Sequence, residues 1–416
     1  MATETKTDAA VAEKSADADI PFFKPHVSEE EISAVVETLR SGWLTTGPQT
    51  KEFELEFAAA VKAEFAIALN SCTAALHLAV EALGLSDGQA VLVPTMTFAA
   101  TAEIVLYKNA IPILVDCDPV TGNMDFDDAE AKVAKLKNGE LHYDKETEVV
   151  GIIPVHVGGF LLDIDRVKDF AERHKLWIVE DAAHAFPAAW RRDADSEWQL
   201  CGEQTADVTC YSFYANKTMT TGEGGMAVTN DATLADRMRL MSLHGLSHDA
   251  WGRYSGNGKW DYKIVAPGYK YNLTDIASAL GRGQLARAEE MQTKRERIAA
   301  FFLDSFLGGP IELPPVSDDR IHSWHLFPIR LKLESLTIDR DQFMVELKSR
   351  GIGCSVHWRP LHLHPLYEKL GWKETDLPVA TELWPRLISL PISSSMTMED
   401  AARVVDTVNQ ICAEHS

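Results

Sequence analysis

Residues 211–226 have the sequence YSFYANKTMTTGEGGM, in which a β-prone run ends at Ser212 and Lys217 follows five residues later. Three glycines then close a turn before a second β-prone run, from Met226 to Thr229. One interpretation is a site lysine held at the end of a core strand. The other is a surface hairpin whose lysine only contacts solvent, and an isolated lysine favours that second interpretation. The rest of the chain has to decide between them.

The composition is typical of a soluble globular protein with room for two domains. The chain has 416 residues, of which 46% are hydrophobic and 25% are charged. A net charge of −22 disfavours nucleic acids and acidic membranes as partners, so an anionic ligand needs a local positive pocket. The six scattered cysteines indicate neither a zinc site nor a disulfide framework, and they suit a reducing cytoplasm. No apolar run is long enough to span a membrane.

Strand-like and helix-like segments alternate along the first two thirds of the chain. Ser28 and Glu31 form a capping-box pattern for a helix that ends near Gly42, and a second helix is predicted over 50–63. Short apolar runs separated by helices of ten or more residues indicate βαβ units and a mostly parallel sheet buried on both faces. The predicted strands are 65–69, 91–94, 111–115, 149–155 and 177–180, and the helices between them end near 83, 107, 137 and 174.

The chain divides into three predicted parts. Residues 1–19 look like a disordered tail and not a signal peptide, because they have neither an apolar core nor a basic start. Residues 20–304 form a large α/β domain that ends in a long helical stretch, 275–306, whose charge run from Arg287 to Arg297 is interpreted as a solvated face. Residues 305–416 form a smaller α+β domain with strands over 324–331 and 354–358 and helices over 341–350 and 398–413.

Three loops at predicted strand ends carry unusual chemistry, and in parallel sheets such loops form the ligand site. Residues 70–76 join a strand to a helix whose N-terminus suits a phosphate, although Ser and Thr are also ordinary N-caps. A second strand ends in carboxylates at Glu180 and Asp181, and the third loop carries Lys217. Pyridoxal phosphate needs this combination: a lysine that binds it covalently, a carboxylate that keeps its pyridine nitrogen protonated, and a phosphate cradle.

Several segments make the chain resemble the DegT-type sugar aminotransferases, a branch of the fold type I, or aspartate-aminotransferase-like, pyridoxal-phosphate enzymes. The signature segments are EDAAHA at 180–185, SFYANK at 212–217, TGEGGM at 221–226 and GYKYNLTD at 268–275. The similarity continues through WLTTGP at 43–48, PTMTFAAT at 94–101, HSWHLFPIRL at 322–331 and GIGCSVHW at 351–358. Within the family the chain is most similar to enzymes that aminate the 4-keto group of UDP-linked sugars, such as the UDP-4-amino-4-deoxy-L-arabinose aminotransferases.

The resemblance implies roles for particular residues. Lys217 is similar to the lysine that binds the cofactor and moves protons, and Asp181 to the partner of the pyridine nitrogen. His184 and Phe98 correspond to the groups on the two faces of the cofactor ring, although a buried structural histidine is the alternative for His184. The implied phosphate-binding residues are Cys72, Thr73, Ala74, Ser212 and, from the other subunit of a homodimer with shared active sites, Asn272.

Substrate contacts are expected from four residues, Thr45, Arg253, Lys259 and His357. Arg253, Lys259 and His357, together with Lys263 and Arg359, are candidates for the positive charge that a nucleotide diphosphate needs, but each is equally compatible with a solvated loop. His362 and His364 invite a metal interpretation, yet no third ligand presents itself, and no metal site is predicted.

The predicted function is transfer of an amino group from glutamate to a nucleotide-linked keto sugar, with a UDP-4-keto sugar expected first. Alternatives within the chemistry are a dTDP- or GDP-linked sugar, a 3-keto sugar or a cyclitol. A related sugar dehydratase has His in place of the lysine, and a non-catalytic regulatory protein on this fold would have lost Lys217 or Asp181. A nicotinamide dehydrogenase needs a Gly-x-Gly-x-x-Gly turn after an early strand, which the sequence lacks.

Overall fold

The computed structural model describes residues 18–246, 263–306 and 308–416, so most of the predicted tail lies outside the described residues. The helices of this part are α1 (Glu29–Ser41), α2 (Pro48–Ala60), α3 (Cys72–Ala82), α4 (Ala100–Leu106), α5 (Phe126–Lys137), α6 (Ile164–His174), α7 (Ala232–Ser242), α8 (Asp275–Ala286), α9 (Ala288–Ser305), α10 (Arg340–Ser349), α11 (Pro365–Lys369), α12 (Pro378–Leu383) and α13 (Met398–His415). The strands are β1 (Phe65–Leu69), β2 (Ala90–Pro94), β3 (Ile111–Val115), β4 (Val149–Ile152), β5 (Trp177–Asp181), β6 (Ala189–Trp190), β7 (Gln199–Leu200), β8 (Val208–Ser212), β9 (Gly225–Thr229), β10 (Ile311–Glu312), β11 (Arg320–Ile321), β12 (Phe327–Leu331) and β13 (Leu387–Leu390). No helix in these ranges is long and apolar enough to cross a membrane.

A seven-stranded sheet in the order β1-β9-β8-β5-β4-β2-β3 forms the centre of the large domain. Neighbouring strands are parallel except at β9, which is antiparallel to both β1 and β8. Every residue of β2 and of β9 is buried, because helices cover both faces, and this explains the uniformly apolar runs in the sequence. The predicted mostly parallel sheet is confirmed, and its parallel strands present their carboxyl ends at one edge.

The two helices before the sheet begin in different ways. Ser28 and Glu31 form the predicted capping box, and α1 ends at Gly42, whose φ of 77° is left-handed. The N-cap residue of α2 is Gly47, which has no side chain to cap the helix. Instead the Asp275 carboxylate accepts hydrogen bonds from the N–H groups of Gly47 and Thr50, at 2.7 and 2.9 Å. The start of α8 therefore fixes α2 against it.

The predicted long helix over 275–306 is two helices, because the chain leaves helical geometry at Arg287. The interpretation of the whole charge run as a solvated face is wrong for Arg295, which is 4% exposed. Its guanidinium donates to the carbonyl oxygens of Trp324 and Ile392, and burial lowers its pKa to about 10. Helix α9 packs between the large sheet domain and the C-terminal part of the chain, which is why one of its charges is enclosed.

The C-terminal part contains the antiparallel sheet β10-β12-β13, with α9, α10 and α13 contributing to its core. Ile20 also belongs to this core, and its N–H and C=O pair with Gly351 and Gly353 at 2.8 and 2.7 Å. The predicted strand 354–358 is wrong: in this described segment a single bridge joins Ser355 to Ser389. The predicted domain boundaries after residues 19 and 304 stay predictions.

Candidate active site

A cavity of about 600 Å³ lies at the carboxyl ends of β1, β2, β5 and β8, where the loops into the following helices converge. Eight of the residues predicted from the sequence line it: Cys72, Thr73, Phe98, Asp181, His184, Ser212, Lys217 and His357. Ala74, Asn272 and Thr45 do not line it. Arg253 and Lys259 lie outside the described residues.

The first wall of the cavity is the turn from β1 into α3. Ser71 has an extended backbone and caps the helix, because its Oγ accepts the N–H of Ala74 at 3.1 Å. The N–H groups of Cys72 and Thr73 precede the first helical hydrogen bond and have no acceptor within the helix, as at any helix start. The Ala74 N–H is used by this cap, so the predicted phosphate contact of the Ala74 backbone stays a prediction.

Gly225 is the residue that lets β9 pass under this turn. A Cβ at Gly225 would lie 2.4 Å from the carbonyl carbon of Ser71 and 2.5 Å from the nitrogen of Cys72. Real side chains do not approach backbone atoms so closely, and only glycine fits there. The turn from β1 into α3 therefore packs directly against β9.

Asp181, the last residue of β5, is 5% exposed and faces the cavity. Its Oδ2 accepts the hydroxyl of Thr101 at 2.7 Å, and its Oδ1 accepts the N–H of Ala183 at 3.1 Å. Burial raises the pKa of Asp181, while these two hydrogen bonds and the nearby Lys217 oppose that shift. Each carboxylate oxygen can accept more than one hydrogen bond, so the group retains acceptor capacity towards the cavity.

Lys217 follows β8 and lies half-buried in the cavity wall, with its N–H donating to the Tyr214 carbonyl at 2.9 Å. Burial lowers the pKa of its amine to about 8, although Cys72 and Asp181 act in the opposite direction. An amine with a pKa near 8 is partly neutral at physiological pH, and a neutral amine is a nucleophile. The lysine is therefore not the solvent-exposed hairpin residue of the alternative interpretation.

His184 lies on the opposite wall in a fixed protonation state. Its Nδ1 accepts the N–H of Gly158 at 3.2 Å, so its proton is carried by Nε2. Its ring stacks on Trp358, with centroids 5.0 Å apart and planes 17° apart, and His325 packs beside it with centroids 4.2 Å apart. Burial and the nearby Lys217 lower the pKa of His184 far below its usual value, which keeps the ring neutral.

His357 lines the cavity but does not give it positive charge. Burial lowers the pKa of His357 to about 4, with a further contribution from Lys217, and its Nδ1 lies 2.9 Å from the Ser389 hydroxyl. The ring is therefore a neutral hydrogen-bonding group near pH 7, in contrast to the expectation of a cation for a diphosphate. The Arg359 guanidinium donates to the Leu363 carbonyl at 2.7 and 3.0 Å and lies outside the cavity lining.

Asn272 and Thr45 lie near each other, and neither lines the cavity of their own chain. The Asn272 amide donates to the Thr46 hydroxyl at 2.6 Å, and its oxygen accepts the Lys270 ammonium. The Thr45 carbonyl accepts the N–H of Asp275 at 3.2 Å. Phe98, in contrast, projects into the cavity with 64% of its surface exposed, which is unusual for an aromatic side chain and leaves a free ring face.

His362 and His364, the two histidines that invited a metal interpretation, contact other groups of the chain. Both ring nitrogens of His362 are within hydrogen-bonding distance of threonine hydroxyls: Nδ1 lies 2.8 Å from Thr95 and Nε2 lies 2.9 Å from Thr381. His364 faces the Arg359 carbonyl at 3.3 Å.

Sequence reasoning missed three functional contacts: Thr101, Trp358 and His325. Thr101 binds Asp181, and the Thr97 hydroxyl lies 2.7 Å from that of Thr101, which extends the chain of hydrogen bonds. The segments PTMTFAAT, HSWHLFPIRL and GIGCSVHW contain these residues and were recognised as similar to the family, but nothing in the local pattern connects them with Asp181 or His184.

These residues fit pyridoxal phosphate. The free N–H groups at the start of α3 suit its phosphate, the buried carboxylate suits its pyridine nitrogen, and Lys217 reaches the same cavity. Phe98 and His184 offer two flat groups for a planar ring. The cavity volume of about 600 Å³ is in the range of small-molecule sites.

Comparisons with known proteins agree with this fit. The sequence model of the DegT/DnrJ/EryC1/StrS aminotransferase family matches residues 25–409. The spore coat polysaccharide biosynthesis protein SpsC of Bacillus subtilis is 40% identical over 395 residues, which are 94% of this chain and 97% of SpsC.

Solved structures with the same fold include sugar aminotransferases. The putative sugar aminotransferase Spr1654 of Streptococcus pneumoniae is 31% identical, and its pyridoxal-phosphate form superposes with a TM-score of 0.84 over 95% of this chain and 99% of its own. PseC of Helicobacter pylori, an aminotransferase of pseudoaminic acid biosynthesis, is 25% identical, with a TM-score of 0.83 over 95% of this chain and 100% of its own.

Proposed function

The chain belongs to the DegT/DnrJ/EryC1/StrS aminotransferase family, and from that premise we propose that it transfers the amino group of glutamate to a nucleotide-linked keto sugar, with a UDP-linked 4-keto sugar as the substrate. It is a pyridoxal-phosphate-dependent sugar aminotransferase, like the relatives solved in pyridoxal and pyridoxamine forms. The observation that carries the proposal is the convergence of Lys217, Asp181 and the start of α3 on one cavity.

Two side chains would carry the chemistry. When bound, pyridoxal phosphate supplies an electron sink for the carbon that gains or loses a proton. Asp181 would hold a proton on the pyridine nitrogen through its buried carboxylate. Lys217 would bind the cofactor and, once released, move the proton at the reacting carbon, for which a pKa of about 8 is well placed because it lies near the working pH.

The remaining cavity residues would hold the cofactor in place. The N–H groups of Cys72 and Thr73 and the hydroxyl of Ser212 would bind the phosphate, helped by the positive end of the α3 dipole. Phe98 and His184 would lie on the two faces of the ring. Because burial holds the pKa of His184 far below its usual value, its ring would not take the proton from the pyridine nitrogen.

The nucleotide-sugar part of the proposal rests on similarity. SpsC functions in polysaccharide biosynthesis and PseC in pseudoaminic acid biosynthesis, and the sequence resembles enzymes that aminate UDP-linked 4-keto sugars. We propose that neutral His357 donates or accepts a hydrogen bond at the sugar, while Arg253 and Lys259 approach the diphosphate. All six cysteines are free thiols, which supports the cytoplasm as the proposed compartment.

The first experiment tests the cofactor site. Purified protein with pyridoxal phosphate is expected to show the visible absorption of the lysine-bound cofactor, and Lys217→Ala is expected to lose it. Lys62→Ala is the control, because Lys62 is an exposed lysine paired with Glu203 at the surface. Persistence of the band in Lys217→Ala would show that another group binds the cofactor.

The second experiment tests the substrate. UDP-, dTDP- and GDP-linked 4-keto and 3-keto sugars are offered with glutamate, and the aminated product is measured by mass spectrometry. We expect the UDP-linked 4-keto sugars to give the highest kcat/KM. Amination of 3-keto sugars or free cyclitols alone would refute the proposed substrate while leaving the cofactor assignment intact.

We also propose a homodimer in which Asn272 and Thr45 complete the site of the partner, because neither lines the cavity of its own chain. Subunits carrying Lys217→Ala are mixed with subunits carrying Asn272→Ala. Random C2 dimers then contain intact sites at about a quarter of the wild-type number, and activity returns accordingly. If Asn272 acts within its own chain, every site in the mixture lacks one residue and activity stays at the level of the separate variants.

A further inference from the structure

A fully enclosed pair, His156 and Glu180, lies directly behind the active site. Glu180 precedes Asp181 on β5, so its side chain points to the opposite face of the sheet. Both His156 and Glu180 are 0% exposed. The Glu180 Oε2 accepts the hydroxyls of Thr205 and Thr209 at 2.5 and 2.7 Å, and its Oε1 lies 3.5 Å from the Nε2 of His156.

The hydrogen bonds of this pair determine its charge and its proton position. Burial alone would raise the pKa of Glu180, but hydrogen bonds from His156, Thr205 and Thr209 lower it overall, and the carboxylate is ionised. The Nδ1 of His156 accepts the N–H of Leu162 at 3.2 Å. Because Nδ1 is an acceptor, the Nε2 of His156 carries the ring proton and faces the Glu180 carboxylate.

The loop that carries His156 connects this pair with the active site. The His156 N–H donates to the Asp181 carbonyl at 3.3 Å, and two residues later Gly158 donates its N–H to the Nδ1 of His184. The hydroxyl of Ser323 donates to the His184 carbonyl, and its N–H donates to Gly159 at 3.2 Å. Residues 156–159, the anchor loop, thus contact both Asp181 and His184.

We propose that the His156–Glu180 pair is a positioning device for the cofactor site: it holds the anchor loop on β5 and thereby fixes the orientation of Asp181 and the tautomer of His184. The inference rests on the proposed roles of Asp181 and His184. A buried carboxylate is expensive to enclose unless polar groups contact its oxygens. Here the hydroxyls of Thr205 and Thr209 donate to Oε2, and the His156 Nε2 lies 3.5 Å from Oε1. The Cys201 thiol lies near this pair, and the possible ligand atoms of His156, Glu180 and Cys201 are all within 4.8 Å of one another. A bound metal ion is therefore the competing interpretation that the experiment has to test.

The informative variant is Glu180→Gln, which keeps the size of the side chain. An amide has one acceptor oxygen, so it can accept from the two threonines or from His156, but not from both. We expect the anchor loop to shift, and displacements of about 1 Å at a site cost on the order of 10²-fold in rate. The affinity of the apoenzyme for pyridoxal phosphate is expected to fall at least about tenfold.

Glu31→Gln is the matched control, because Glu31 is also a buried carboxylate, 1% exposed, but lies on α1 and does not contact the anchor loop. Three quantities are measured for each variant: the thermal midpoint of the apoenzyme, the Kd for pyridoxal phosphate from quenching of protein fluorescence, and the pH at which the absorption of the bound cofactor changes. We expect both variants to lose thermal stability and only Glu180→Gln to change Kd and the absorption transition.

None of these measurements needs the sugar or glutamate, so they succeed or fail independently of the proposed substrates. A Kd for Glu180→Gln within twofold of wild type would overturn the inference. The inference would also be overturned if elemental analysis found stoichiometric metal in the purified wild-type protein and none in Glu180→Gln. If Glu180→Gln does not fold, Thr209→Val removes one of the two hydroxyls at Oε2 and is expected to raise Kd several-fold in a folded protein; an unchanged Kd in this variant would overturn it equally.

Discussion

Replacing Gly225 by alanine is expected to weaken both pyridoxal-phosphate binding and the fold. The added Cβ would lie 2.4 Å from the Ser71 carbonyl carbon and 2.5 Å from the Cys72 nitrogen. Carbon atoms in contact prefer about 3.5 Å, so strand and turn have to separate by about 1 Å. The neighbouring atoms belong to the backbone, and no side chain can rotate away to make room.

The magnitude follows from what the turn would bind. A shift of that size breaks or lengthens a hydrogen bond from Cys72 or Thr73 to the cofactor phosphate, and a hydrogen bond to a charged group contributes about 1.5–3 kcal/mol. Loss of one such bond raises Kd about 10- to 100-fold. Overpacking of this kind typically costs about 1–3 kcal/mol in unfolding free energy.

Gly222→Ala separates the two effects. A Cβ at Gly222 meets nothing within 4 Å, but its φ of 82° is left-handed, so alanine there carries a backbone cost of about 1 kcal/mol. Urea unfolding of the apoenzymes and fluorescence titration with pyridoxal phosphate give both quantities for each variant. Wild-type affinity in Gly225→Ala would refute the assignment of the β1–α3 turn as the phosphate site, whatever the change in stability.

Two further predictions concern the lysine and the core beneath it. Burial lowers the pKa of Lys217 to about 8, so most of its amine is protonated and unreactive below that pH. The rate at which the apoenzyme captures pyridoxal phosphate, measured by stopped-flow absorbance, should therefore rise about tenfold per pH unit up to about pH 8 and then level off. A rate that does not change with pH would contradict this. Phe57 is fully buried against Tyr211 on β8 and against Phe213, which follows β8. Phe57→Ala should lower the free energy of urea unfolding by about 3–5 kcal/mol, whereas Leu55→Ala, at an exposed position, should change it by less than about 0.5 kcal/mol. A loss below about 1 kcal/mol for Phe57→Ala would count against this packing.

Elements with local signals were predictable from the sequence. The capping box of α1 and its left-handed Gly42 depend on residues within one turn of each end. β1 and β3 were predicted with their observed bounds because each is a short apolar run between helices. The strand predicted over 354–358 was wrong because a β-prone run becomes a strand only when a neighbour pairs with it along its length.

For the candidate site, too, some features could be predicted from the sequence and others depended on tertiary contacts. Lys217, Asp181 and the 70–73 turn could be proposed together because parallel strands bring their carboxyl ends to one edge, a rule that needs no knowledge of contacts. Which N–H groups of the turn remain free could not be predicted, because Ser71 takes that of Ala74 only in the folded helix start. The charge of His357 could not be predicted either, since burial, not residue type, lowers its pKa to about 4.

By itself, then, the sequence determined the alternation of strands and helices, the strand ends that carry a lysine and a carboxylate, and the family they resemble, because these depend on short-range pattern and residue type. Only the tertiary structure decided how those groups are held. Three contacts join residues distant in the chain: the Thr101 hydroxyl donates to Asp181, the Gly158 N–H donates to His184, and the Asp275 carboxylate accepts the N–H of Gly47 at the start of α2. Such contacts exist only after the sheet and its helices have packed, and they orient the side chains and fix their protonation states.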